Sequence, residues 1–84
     1  VHYSLTIKRS ALKEMQALPK ADRTRLVAAI DALAENPHIG KLLKGNLSGL
    51  RRLRVGAYRV VYEINEDQVR ILVLRVAHRK EVYR

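Results

Sequence analysis

With 84 residues the chain is long enough for one domain and too short for two. Cysteine is absent, which excludes disulfides, thiolate metal sites and a thiol nucleophile, and fits a reducing cytoplasm. Lys and Arg outnumber Asp and Glu by 17 to 8, giving a net charge of +9 that favours a polyanionic partner such as nucleic acid.

No apolar run approaches the ~18 residues of a membrane span and no signal-peptide pattern opens the chain, so a soluble protein without a membrane partner is expected. The kind of basic residue matters as well. From Gly49 onward the cations are eight Arg and one Lys. A guanidinium is planar, permanently charged and able to grip two phosphate oxygens, which a lysine ammonium does only as a point charge.

In chain order, His2 to Lys8 alternates Tyr3, Leu5 and Ile7 with polar residues and reads as a first strand. Ser10 is a candidate N-cap for a short helix whose stripe is Ala11, Leu12, Met15 and Leu18, broken at Pro19. A second helix over about 21–35 places Leu26, Ala29, Ile30 and Leu33 on one face. Asn36-Pro37 ends it, because the residue before proline avoids the α region. Both helices read as a cover over a sheet, with nothing catalytic on them. A connecting loop over 38–48 carries Gly40, Gly45 and two candidate phosphate contacts, Lys41 and Lys44.

A β-hairpin follows, turning at Gly56-Ala57, where a two-residue loop with Gly first suits a type II′ turn. That turn sets Val55 opposite Tyr58, Arg54 opposite Arg59, Leu53 opposite Val60 and Arg52 opposite Val61. Period-two alternation then gathers Leu53, Val55, Tyr58, Val60, Tyr62 and Ile64 on one face and Arg52, Arg54 and Arg59 on the other. Like charges opposed across a sheet cost stability, so the arginine face invites an anion with several oxygens. Glu66-Asp67 marks another turn into 69–76, apolar on both sides and therefore expected at the centre of the sheet. The order is βααβββ in a single domain spanning 1–84. It implies an α+β fold in which two helices pack on one face of an antiparallel-rich sheet and leave the other open.

The three histidines, His2, His38 and His78, are scattered, and neither a metal site nor a cofactor is expected. The chemistry-bearing residues that remain are the arginine face and the ending His78-Arg79-Lys80-Glu81-Val82-Tyr83-Arg84. These two stretches, with Leu47 and Gly49 leading into Arg51-Arg52-Leu53-Arg54-Val55-Gly56 and then Tyr58-Arg59-Val60-Val61-Tyr62, resemble the RelE family of bacterial toxins. The resemblance runs over essentially the whole chain. Its hairpin motif is shared by the RelE/ParE superfamily, whereas the ending separates it from the gyrase-inhibiting ParE branch.

The resemblance implies a type II toxin–antitoxin toxin that cleaves mRNA on the ribosome without metal. Its implied partners are a cognate antitoxin, the ribosome with its 16S rRNA, and mRNA. By position, Arg59 matches the family's phosphate-stabilising arginine, and Arg52 a basic residue assigned as general base or charge stabiliser. Arg79 matches the tail arginine on the leaving-group side, and Tyr83 the tyrosine that orients the substrate. Arg54 and His78 join Lys41 and Lys44 as further phosphate contacts. Leu50 departs from the pattern, since a basic residue stands there in some relatives. The alternatives are a ParE-like inhibitor of DNA gyrase and a plain basic RNA-binding module.

Overall fold

The structure is a computed structural model that describes residues 2–45, 49–78 and 80. The chain begins with β1 (Ser4–Ile7) and two helices, α1 (Arg9–Gln16) and α2 (Lys20–Leu33). A 3-10 turn (Pro37–Ile39) leads into the short β2 (Lys41–Leu42), and then come β3 (Arg51–Val55), β4 (Tyr58–Asn65) and β5 (Arg70–His78). The five strands lie in the order β1-β5-β4-β3-β2. β1 runs parallel to β5, and the other neighbours are antiparallel.

The helices sit where their apolar stripes require. Ala11 and Met15 of α1 and Leu26, Ile30 and Leu33 of α2 are buried against Val60, Tyr62, Ile71, Val73 and Val76 of the sheet. Leu12, placed on the α1 stripe by spacing alone, is 42% exposed at its margin. The hairpin has the expected register, from Arg52 opposite Val61 to Val55 opposite Tyr58. Gly56 takes φ +61° at the turn, a conformation an L-side chain resists.

Four expectations are corrected. The first helix starts at Arg9 with Lys8 as its cap, so Ser10 lies within the first turn. The Lys8 N–H donates to the Val73 carbonyl, so β1 hands the chain directly to the helix without a side-chain cap. Residues 38–48 are not simply a loop, because Lys41 and Leu42 pair with Arg52 and Arg51 as an edge strand. That added strand moves the centre of the sheet to β4, leaving β5 interior but second in order.

The face away from the helices is also less open than expected. Leu43 and Leu50 fold over Val61 and Ala77 there, held by a bond from the Leu43 N–H to the Leu50 carbonyl. Leu50 thus serves as half-buried apolar cover at the position where a charge was missed.

β5 carries one irregularity with consequences. Its register against β4 jumps between Val61 opposite Arg75 and Tyr62 opposite Val73, leaving Leu74 as an extra residue. Such a bulge reverses the inside–outside parity of everything beyond it. Val73 and Val76, three apart, are therefore both in the core. Past the end of β1, Glu14 occupies the vacant edge: its carboxylate accepts from the Val76 N–H at 2.9 Å and from Arg75 at 2.8 Å.

Candidate nucleic-acid interface

Cross-strand register assembles the basic site. Lys41 of β2 stands opposite Arg52 of β3, and Arg54 stands opposite Arg59 of β4, all with side chains on the face away from the helices. Directly opposed residues are about 5 Å apart at Cβ, so these four cations crowd one patch. Ile39, Gly40, Lys41, Arg52, Leu53 and Arg54 line a solvent-open groove of about 300 Å³ across it. No carboxylate or imidazole is among these lining residues. The groove's described lining suits an anion, and among the described residues that line it none is suited to relay a proton near neutrality.

The edge of the groove is fixed by a buried tyrosine. Tyr62 is wholly buried, and its hydroxyl donates to the Pro37 carbonyl at 2.6 Å while accepting from the Gly40 N–H at 3.0 Å. Burial raises the pKa of this phenol above its ordinary value, with the Gly40 N–H and the Arg51 charge opposing, so it stays protonated and able to donate. Arg51, facing the helix side opposite Tyr62, donates to the Gly40 carbonyl at 2.7 Å and to the His38 carbonyl at 3.4 Å. Gly40 is required here for space. A Cβ would collide with the Tyr62 hydroxyl and sit 2.5 Å from the Arg52 carbonyl oxygen. Beyond it, Glu66 accepts from the Tyr3 hydroxyl at 2.8 Å and meets His38 Nε2 at 3.0 Å. The Tyr3 bond, above all, holds the Glu66 carboxyl below the usual range against desolvation, with His38 and the Arg51 charge adding to it.

Of the residues expected at the site, Lys41, Arg52, Arg54 and Arg59 come together. Lys44 lies exposed in the coil after β2 and does not line the groove. His78 is on the other face, opposite Tyr58, with the two rings edge to face at 6.0 Å. Simple alternation from Ile71 and Val73 would have put it among the arginines, and the bulge at Leu74 turns it away. Arg79 and Tyr83 lie outside the described residues.

Two contributors were missed by reading the sequence. Arg51 was counted only as part of the motif, although its carbonyl bonds are what seat β2. Arg25 of α2 brings its guanidinium against the hairpin turn, about 3.4 Å from where a Gly56 Cβ would be, so a helix does add charge at the tip of the arginine strands. The available signal was the i, i+3 spacing of Asp22 and Arg25, which puts them on one side of the helix. Asp22 accepts from the Tyr58 hydroxyl at 3.2 Å, aligning that side of α2 with the turn.

Comparison with known proteins agrees with this geometry. A family model described as the ParE toxin of type II toxin–antitoxin systems matches residues 5–83. The chain is 36% identical over 84 residues to Toxin RelE of Mycobacterium tuberculosis, covering 98% of this chain and 87% of that one. It superposes on the toxin–antitoxin complex RelBE2 of the same organism with a TM-score of 0.88 and 30% identity, over 94% of this chain and 100% of that one. Against the isolated RelE toxin of Escherichia coli the TM-score is 0.78 at 29% identity, covering 96% and 90% of the two chains. The helix pair on a five-stranded mixed sheet is the fold these toxins share. The chain therefore belongs to the RelE family of type II toxin–antitoxin toxins, within the wider RelE/ParE superfamily.

Proposed function

We propose that this toxin is a metal-independent endoribonuclease that cuts mRNA in the ribosome, acting in the cytoplasm and silenced by a cognate antitoxin. The observation that carries the reading is the convergence of Lys41, Arg52, Arg54 and Arg59 on one sheet face. Four cations there suit a phosphodiester on its way to a phosphorane, which carries more negative charge than the ground state. The ribose 2′ oxygen attacks the adjacent phosphorus and the bond to the 5′ oxygen breaks. The 2′-OH gives up a proton and the leaving 5′ oxygen gains one, yielding a 2′,3′-cyclic phosphate and a 5′-OH.

Arg59 and Arg52 serve as charge stabilisers, and Arg54 and Lys41 hold flanking phosphates. Arg79 supports the leaving oxygen and Tyr83 orients the substrate. Arginine, with a pKa above ~12, moves protons poorly. A site rich in stabilisation and poor in bases is slow on free RNA, and the ribosome corrects that by holding the 2′-OH in line.

The test is to incubate programmed ribosomes with the protein and map the mRNA ends. Cuts within the message that leave a 2′,3′-cyclic phosphate are expected, and a 2′-deoxy nucleotide 5′ to the cut should stop cleavage at that position. Cutting at the deoxy position would make water the nucleophile. The family-model match to ParE toxins favours a second reading, a non-nuclease inhibitor of DNA gyrase. Intact messages together with blocked gyrase supercoiling would establish that one instead.

A further inference from the structure

We infer that Tyr62 and Arg51 are positioning residues that hold Lys41 in the groove, where with Arg52 and Arg54 it forms a subsite for an RNA phosphate flanking the scissile one. The inference rests on the nucleic-acid reading of the arginine face and adds to it the device that makes one of its cations available.

β2 is two residues long, too short to hold itself in place by pairing alone. It is the outermost strand of the sheet, so it pairs on one side only. What fixes it is the segment just before it. The Tyr62 hydroxyl, rooted in the core, bonds to both ends of Pro37–Gly40, and Arg51 grips the Gly40 and His38 carbonyls from the adjacent strand. Gly40 is pressed so closely between Tyr62 and the Arg52 backbone that no side chain fits.

A segment held at four backbone atoms next to Lys41 sets the direction in which that lysine leaves the sheet edge. It stands beside Arg52, a like-charge pair that costs stability unless an anion joins it. Four facts coincide: a buried donor, an arginine bonded to two backbone carbonyls, a forced glycine, and an unfavourable cation pair. Together they describe a preorganised phosphate seat rather than a solvated edge.

A short 2′-O-methyl RNA single strand, which cannot be cut, serves as the probe, with affinity measured across a salt series. Each phosphate contact on a single strand adds about 0.7 to the slope of log affinity against log salt. Lys41→Ala should lower the slope by about 0.7 and the affinity several-fold. Tyr62→Phe, which removes only the hydroxyl, should do the same, and the double variant should be no worse than either alone. Arg51→Met provides the same comparison from the other side of the clamp should Tyr62→Phe fail to fold, and melting curves confirm which variants are native.

A wild-type slope in folded Tyr62→Phe or Arg51→Met, losses that simply add to those of Lys41→Ala, or a wild-type slope in Lys41→Ala would each overturn the inference. Cleavage on ribosomes is scored separately. Coupled slopes in a protein that cuts no message uphold the phosphate seat and remove the nuclease reading. Robust cutting with an unaltered slope in Lys41→Ala does the reverse.

Discussion

Arg59 is the residue on which the chemistry can be tested most directly. It is half-buried on the central strand, opposite Arg54 on one side and Ala77 on the other, on the face away from the helices. A fixed donor aimed at developing charge is worth more than a mobile one, since no reorganisation is needed at the moment of reaction. Arg59→Ala should lower single-turnover cleavage on ribosomes by ~10²-fold or more while leaving the far-ultraviolet dichroism native. Undiminished cleavage in the folded variant would take Arg59 out of the site. Arg51, only eight positions earlier, illustrates the contrast. The same residue type, one step over in strand parity, is committed to backbone carbonyls and contributes structure to the face that Arg52 and Arg54 supply with charge.

At the scale of elements, the β4–β5 turn and the 3-10 turn are tied together through Glu66, which joins Tyr3 at the start of β1 to His38. The Glu66 carboxyl is held below its ordinary pKa, chiefly by the Tyr3 hydroxyl. A group depressed in the folded state contributes stability above its unfolded pKa and loses it as the pH falls through the folded value. Melting temperatures of wild type and Glu66→Gln should therefore differ most near neutrality and converge in acid, below the carboxylate range. A constant gap at every pH would mean the ionised carboxylate is not what matters.

The same elements show what the sequence could and could not disclose. The hairpin was legible because its register follows from a two-residue turn and its faces from alternation, both local. β2 was not, because a two-residue strand exists only through its partners Arg51 and Arg52, nine and eleven residues further along the chain. The bulge at Leu74 was equally hidden, since an unbroken apolar run gives no sign of a parity change, and with it went the side on which His78 stands. Leu50 looked like a missing charge because its covering role depends on Val61 and Ala77, which only the folded sheet brings beneath it.

For the whole molecule, the governing fact is a net charge of +9 on 84 residues, with four of the cations gathered on one face. A toxin with such a face must be neutralised in its host, and an acidic segment that folds along it does so at little cost in size. The expected complex buries some of Arg52, Arg54, Arg59 and Arg79, and its association is fast at low salt because opposite fields steer the encounter. Raising the ionic strength should slow association and weaken binding, since exposed charges are screened within about 8–10 Å at physiological salt. Stopped-flow association of the protein with its cognate antitoxin, across a salt series, reads this out. A salt-independent rate would point to apolar docking on the helix side, where Leu12 and Val27 are 42% and 47% exposed. A tight complex that leaves all four arginines accessible to modification, yet still blocks cleavage, would mean that the antitoxin acts by holding the toxin away from the ribosome.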